Sequence, residues 1–301
     1  MTKTRSSDLQ NLLSIRDLMR YAVSRFTEAQ LFFGHGCDNA WDEAAYLICH
    51  ALHLPGERLE AFFDARVLDQ ERAAVITLID ARVDRRVPAP YLTQQAWLTG
   101  HSFYVDERVI VPRSFIAELL EDQMAPWIEE PDAVGSVLDL CTGSGCLAIL
   151  SALAFPQARV DAVDISPDAL LVAERNRADY QLADRLELIQ SDLFSGLKKR
   201  RYDLIISNPP YVNGESMRNL PAEYRAEPEL ALAGGEDGLD LVHTILKEAR
   251  RHLTPDGLLV VEIGYNRDAL EAAYPELPFV WLETASGNEF VFLLPADELP
   301  A

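Results

Sequence analysis

The 301-residue sequence predicts an α/β fold: a mostly parallel, doubly wound sheet closed by an antiparallel hairpin, behind a small helical N-terminal domain. Three observations carry this reading. From Val134 onward, short apolar runs alternate with helical patterns, as strands joined by crossover helices do. The first such run, Ser136 to Leu140, leads into Cys141-Thr142-Gly143-Ser144-Gly145, and the next, Arg159 to Val163, ends in Asp164. That is the layout of a nucleotide-type site at the first crossover of a doubly wound sheet. Residues 1–90, in contrast, read as helical throughout.

Taken in order, Leu12 to Phe33 carries apolar residues at helical spacing. Asn39 is placed to cap a helix running through Leu52, Pro55 starts a short helix reaching Phe63, and Asp69 caps another through Arg86. Pro88 and Pro90, which lack amide hydrogens, are expected to stop helical structure. Ala96 to Val111 alternates like a hairpin, with strands near Ala96–Tyr104 and Arg108–Val111, and Phe115 to Trp127 reads as an amphipathic helix. Strands are expected at 136–140, 159–164, 186–190, 202–207 and 257–263, and helices at 146–154, 167–180 and 238–253. Val280 to Glu283 and Phe290 to Leu294, joined by Ala285-Ser286-Gly287-Asn288, read as the closing hairpin. Asn213 to Gly235 reads as a long polar loop, of the kind that carries function. The domains that follow are 1–90, helical and suited to docking a substrate; 91–114, a hairpin linker; and 115–301, the α/β domain.

The net charge is −21, with 27 basic residues against 48 acidic. Extensive duplex binding needs phosphate-pairing Lys and Arg in numbers, so the balance argues against it and favours a basic partner. The densest basic run, Lys198 to Arg201, reads as a solvated loop. No apolar stretch approaches the ~18 residues of a membrane span, and Met1 to Leu13 is polar, so a cytoplasmic protein is expected. Cys37, Cys49, Cys141 and Cys146 show no paired zinc spacing, and His35, His50 and His53 are scattered; packing thiols and ordinary histidines are expected, with no metal.

Two motifs carry chemistry. Asn208-Pro209-Pro210-Tyr211 follows the apolar strand 202–207. Two prolines cannot continue a ladder, so the chain must turn stiffly there, with its carbonyls in fixed directions. The Asn208 side chain and the Pro209 carbonyl are two acceptors, and Tyr211 adds an aromatic face: together a seat for a planar, conjugated –NH2 group. These three residues are the catalytic candidates. The glycine loop lets main chain approach a ligand closely, and Asp164 suits ribose hydroxyls. Its spacing fits a nucleoside without phosphates, and S-adenosyl-L-methionine is such a ligand. The cofactor-binding candidates are Asp139, Cys141, Thr142, Gly143, Gly145, Asp164, Ile165, Asp192, Leu193 and Asn208. Asp139 reads either as a partner for the ligand's ammonium or as a brace for the loop, and Asp192 either as an acceptor for an adenine amine or as a loop cap. Glu227-Pro228 and Gly234-Gly235 read as turns that border the substrate, and Glu262 is a further candidate.

On these motifs, together with Pro90-Tyr91-Leu92-Thr93, Val111-Pro112-Arg113, Ser191-Asp192-Leu193-Phe194 and the stretch from Glu227-Pro228 to Gly238, nearly the whole chain resembles the protein-glutamine methyltransferases. The resemblance implies a class I methyltransferase domain using S-adenosyl-L-methionine, with Asn208 and Pro209 holding a glutamine side-chain amide. Cys141 in the loop, and Ser114 after Val111-Pro112-Arg113, differ from the release-factor branch. Pro88 to Thr93 and Phe103 to Arg108 resemble the branch that methylates large-subunit ribosomal protein three, a basic substrate in keeping with the acidic charge. The alternatives are the release-factor branch, a nucleic-acid amine methyltransferase meeting the same planar –NH2 demand, and an inert binding module.

Overall fold

The computed structural model describes residues 8–197, 199–285 and 287–300. Met1 to Ser7 of the polar N-terminus, Lys198 of the basic run and Ser286 of the closing turn lie outside the described residues. The chain divides into two compact units, one formed by Met1–Gln95 with Pro221–Ala226, the other by Ala96–Leu220 with Glu227–Ala301.

The first unit packs α1 (Ile15–Glu28), α2 (Ala40–Leu52), α3 (Asp69–Arg85) and the short α4 (Ala89–Thr93) around Leu18, Phe26, Leu47, Ile48, Val75 and Ile79. Helix α1 is shorter than its apolar pattern. Ser14 and Asp17 close a reciprocal cap at its start, and Gln30 beyond its end takes a left-handed φ of 50°. Asn39 caps α2, accepting from the amides of Trp41 and Asp42. Asp69 is the first residue of α3 rather than its cap; Leu68 is the cap, and its amide donates to Glu71. Pro88 and Pro90 do not stop helical structure but open α4, because the first helical turn leaves amides unpaired anyway.

At the centre of this unit lies Arg82, with no exposed surface. It donates to Glu43 at 2.6 Å, to Glu223 at 3.3 Å and to the Phe32 carbonyl at 2.8 Å. A guanidinium is tolerated there only because carboxylates and a carbonyl replace its water. Glu223 arrives from the segment Pro221–Ala226, distant in sequence, and accepts from the Phe32 amide and Arg86 as well.

The second unit is built on a seven-stranded sheet of β3 (Ser136–Leu140), β4 (Arg159–Asp164), β5 (Leu186–Gln190), β6 (Tyr202–Ser207), β7 (Leu253–Glu262), β8 (Val280–Thr284) and β9 (Gly287–Pro295), in the order β5-β4-β3-β6-β7-β9-β8. The first five strands are parallel; β9 runs antiparallel to β7 and pairs with β8. Both faces are covered. Helix α6 (Cys146–Ala154) lies in the cluster on one face and α9 (Asp240–His252) in that on the other, so the central strands read as continuous apolar runs. Chain order reverses between β3 and β6, which opens the crevice where doubly wound sheets bind ligands.

Several expectations are corrected. The hairpin is β1 (Ala96–Leu98) paired with β2 (His101–Phe103) across Thr99-Gly100, both at positive φ, so it lies inside the segment read as one strand. Residues 108–111 form no strand, because the Asp106 carboxylate takes the Arg108 amide and Val109 bonds back to the Asp106 carbonyl, closing a turn. The helix expected through Trp127 is only α5 (Ile116–Glu121). Gln123 and Met124 are left-handed, and Pro126 excludes helical geometry before it. The segment 213–235 is not a plain loop: Asn213 caps α8 (Gly214–Asn219), and 3₁₀ turns follow at Ala222–Ala226 and Glu229–Ala231. Helix α7 (Pro167–Asp179) falls where expected, and β7 begins four residues early, at Leu253. In the basic run, Arg200 is not merely solvated: it pairs with Asp161 at 2.7 Å and Glu187 at 3.0 Å, tying β4 to β5.

Candidate active site

The end of β3 builds the floor of the loop. Asp139 is buried, and its Oδ2 accepts from the Thr142 hydroxyl at 2.5 Å. The Thr142 amide in turn bonds to the Val163 carbonyl, locking the loop to β4. Asp139 Oδ1 is buried with no partner among the described residues, and burial pushes this carboxyl up to about 7. Cys141 stands in a left-handed conformation, φ 60°, where glycine would be unstrained. Burial raises its thiol far above the ordinary range, so the thiol stays protonated. At Gly145, a Cβ would lie 3.1 Å from that of Ala173, so this glycine serves the close approach of α6 to α7.

Asp164, ending β4, reaches back to this loop. Its Oδ2 accepts from the Gly143 amide at 2.8 Å and its Oδ1 from the Ser166 amide at 2.9 Å. Each oxygen keeps a lone pair for a ligand. Burial raises this carboxyl above its usual range, opposed by those amides. After β5, the Ser191 hydroxyl donates to the Leu193 carbonyl and accepts from the Gly196 amide, so Ser191 shapes the turn. Asp192 is left exposed, next to the buried Leu193.

A cleft joins these groups. Cys141, Gly143, Asp164, Ile165, Asp192 and Leu193 line it with Asn208 and Pro210. Arg108, Val109, Ile110, Leu230, Ala231 and Leu241 also line it, none of them named as site residues from the sequence, together with Pro228, part of a turn expected from the sequence to border the substrate. Leu230, a large apolar side chain 61 % exposed, is the kind of signal that would have found them. Asp139, Thr142, Gly145, Pro209 and Tyr211 are not among the residues that line it.

At the end of β6, the turn Asn208-Pro209-Pro210-Tyr211 is held from several sides. Tyr211 donates its hydroxyl to Glu262 at 3.0 Å, and its carbonyl accepts from the Asn266 side chain at 2.8 Å. A Cβ on Gly264 would lie 2.7 Å from the Tyr211 ring, and one on Gly234 would lie 2.7 Å from the Pro210 carbonyl, so both positions admit only glycine. Val212 bonds to Leu232, and Gly234 bonds to Val212, which fastens the far side of the turn. Within this frame the Asn208 side chain makes no hydrogen bond among the described residues, and the Pro209 carbonyl accepts none.

The methyltransferase small domain family matches residues 118–223. The ribosomal protein uL3 glutamine methyltransferase of Burkholderia pseudomallei is 60 % identical over 96 % of this chain and 96 % of its own length. Its namesake in Bordetella pertussis is 58 % identical over 98 % of this chain and 99 % of its own. That of Bradyrhizobium diazoefficiens is 52 % identical over 96 % and 92 %.

The chain belongs to the ribosomal protein uL3 glutamine methyltransferase family.

It is therefore a methyltransferase, and the sheet of five parallel strands closed by an antiparallel β9 is the class I methyltransferase fold. In this methyltransferase two buried carboxylates bolt the segment Val111–Phe115 beside the turn. Glu227 accepts both terminal nitrogens of Arg113, at 2.6 and 2.7 Å, and the Val111 amide at 2.9 Å. Glu262 accepts from the Ser114 hydroxyl at 2.6 Å and the Phe115 amide at 3.0 Å, besides Tyr211. Burial pushes Glu262 up to about 7 against the pull of these donors. Among the described residues, the one basic side chain lining the cleft, Arg108, already has its guanidinium on Asp106, at 2.8 and 2.6 Å.

Proposed function

We propose that this methyltransferase transfers a methyl group from S-adenosyl-L-methionine to the side-chain amide nitrogen of a glutamine in ribosomal protein uL3, working in the cytoplasm. The observation that carries the reading is the pair of acceptors, the Asn208 side chain and the Pro209 carbonyl, without a hydrogen bond among the described residues, on a turn braced through the Tyr211 hydroxyl and carbonyl. The names of the relatives, all uL3 glutamine methyltransferases, support the choice of substrate. So does the net charge of −21, which suits a basic ribosomal protein.

The cleft fits the cofactor. Asp164 keeps a lone pair on each oxygen for ribose hydroxyls, the exposed Asp192 can accept from the adenine amine, and Ile165 and Leu193 offer apolar contact. Cys141, Thr142, Gly143 and Gly145 shape the loop main chain, and the partnerless Asp139 Oδ1 behind it is a buried acceptor for an ammonium. Among the described residues of the lining a phosphate would find no free cation, since Arg108 is engaged with Asp106. When bound, S-adenosyl-L-methionine supplies a methyl carbon made electrophilic by its sulfonium.

An amide nitrogen is a poor nucleophile because its lone pair is delocalised into the carbonyl. The Asn208 side-chain oxygen and the Pro209 carbonyl each accept one of its N–H bonds. Both bonds raise electron density on nitrogen and fix the direction of its lone pair. They strengthen as the nitrogen gains positive charge, so they favour the transition state over the bound substrate. Tyr211 flanks the amide, held by Glu262. The alkylated nitrogen is acidic and releases its proton to water, so the turn needs no basic side chain.

Incubating the protein with radiolabelled cofactor and unmethylated ribosomal proteins, then mapping the label by mass spectrometry, tests this; label on a uL3 glutamine is expected. Label on release factor or nucleic acid in its place would refute the substrate. Residues 1–90 are proposed to dock the protein substrate. Replacing the half-exposed Trp41 of that unit with alanine should raise KM for intact uL3 but not for a short glutamine peptide. Equal effects on both would refute docking there.

A further inference from the structure

Tyr265 is 92 % exposed, more than any other large apolar or aromatic side chain described in the protein. A bare aromatic ring at the surface loses its burial free energy, and such residues mark contact surfaces when their position is fixed. The position of Tyr265 is fixed on both sides. Gly264 before it packs under the Tyr211 ring, and Asn266 after it donates to the carbonyls of Tyr211 and Ile263 at 2.8 and 3.0 Å. The residue therefore lies between the two residues, Gly264 and Asn266, that brace the turn proposed to seat the acceptor amide.

Tyr265 does not stand alone. Its ring meets Phe290 edge-on, centroids 4.9 Å apart, and Phe290 meets Phe115 at 4.9 Å. Phe115 is anchored through its amide to Glu262, the same carboxyl that holds Tyr211. A row of three aromatic rings thus leads from beside the reacting turn to solvent. Beside it stand Asp268, Glu271 and Glu289 against Arg267, and Arg267 is engaged with both glutamates. The local balance is acidic, like that of the whole chain.

We infer that Tyr265, with Phe290 and Phe115, is the docking ledge for the basic polypeptide segment that flanks the target glutamine. A Lys or Arg a few residues from the glutamine lays its cation over the Tyr265 face, within the negative field of the neighbouring carboxylates. The inference rests on the proposed seating of the amide at Asn208 and Pro209, and it deepens that reading by naming the flanking chemistry.

The test is direct binding, independent of turnover. A fluorescent peptide carrying one glutamine flanked by Lys and Arg is titrated, in the presence of S-adenosylhomocysteine, into wild-type protein and the Tyr265→Ala and Tyr265→Phe variants. A second peptide has the basic residues replaced by alanine. Tyr265→Ala should weaken the basic peptide roughly 5- to 10-fold and the alanine peptide by less than about 2-fold, with Tyr265→Phe close to wild type. The side chain is exposed, so the variants fold, and an unchanged affinity for S-adenosylhomocysteine confirms it. Equal affinity of Tyr265→Ala and wild type for the basic peptide, equal losses for both peptides, or no peptide binding by wild type would overturn the ledge. Peptide binding that depends on Tyr265 without label on the glutamine would instead refute the proposed acceptor and leave the ledge standing.

Discussion

The Tyr211 hydroxyl donates to Glu262 Oε1 at 3.0 Å, joining the last residue of the β6 turn to the end of β7 across 51 positions of sequence. Glu262 is fully buried and carries two more donors on its other oxygen, the Ser114 hydroxyl and the Phe115 amide. One carboxyl therefore fixes the turn and the start of α5 together.

Tyr211→Phe removes one of those three donors and leaves Glu262 Oε1 buried without it. Stability should fall by about 1–2 kcal/mol, the scale of an unmade buried hydrogen bond, measured by urea denaturation. Methyl transfer should slow, while the dissociation constant for S-adenosylhomocysteine stays within about 2-fold, since the cofactor wall of the cleft is untouched. Glu262→Gln should be the mildest change of Glu262, because an amide can face its oxygen to Ser114 and Phe115 and its –NH2 to the Tyr211 oxygen.

Asn208→Ala deletes one of the two acceptors proposed for the substrate amide, and its side chain supports nothing else among the described residues. The variant should fold as wild type and lose on the order of 100-fold in kcat, by analogy with loss of one transition-state hydrogen bond. Calorimetry should find cofactor affinity nearly intact. Turnover at the wild-type rate would remove Asn208 from the chemistry.

Asp139 gives a pH-dependent prediction. Its carboxyl is raised from 3.8 to about 7 by burial, so between those values the folded chain binds a proton that the unfolded chain releases. Its contribution to stability is full below the unfolded pKa and is lost as pH rises through the folded one, by up to on the order of 4 kcal/mol. Asp139→Asn never ionises, so its stability relative to wild type should rise from pH 4 to pH 8, in thermal melts without cofactor. If Asp139 also meets the cofactor's ammonium, the same variant should bind S-adenosyl-L-methionine more weakly. A flat difference across the pH range would contradict the buried proton.

In the helical unit, Arg82→Ala strands Glu43 as a buried carboxylate without its guanidinium and leaves Glu223 to Arg86 and the Phe32 amide. The expected cost is about 3–5 kcal/mol, seen as a lowered denaturation midpoint. Arg82→Met, which fills the space, should not restore the stability, because Glu43 regains no partner.

How much of this was legible from sequence depends on the distance between cause and effect. The strands β3, β4 and β6 were, because burial on both faces leaves each largely apolar, and Asp164 and Asn208 sit where these runs end. The glycine loop and Asp164 were legible as a pair, and the structure joins them by the 2.8 Å bond to Gly143. The hairpin was misplaced because Thr99-Gly100 turns within an alternating stretch that carries no stronger break. The support of the turn was not legible at all. Glu262, Gly264 and Asn266 meet Tyr211 only in the folded chain, and nothing local to either segment records the pairing. Glu227 read as a turn residue for the same reason, although it clamps Arg113 from 114 positions away.

The most direct test of the central claim is a crystal structure of the protein with S-adenosylhomocysteine and a glutamine peptide. The account predicts the glutamine side-chain nitrogen within hydrogen-bond reach, roughly 2.7–3.2 Å, of both the Asn208 side-chain oxygen and the Pro209 carbonyl, with the thioether sulfur on its open side. A nitrogen bound elsewhere, or one hydrogen-bonded to neither acceptor while the sulfur faces it, would contradict the account.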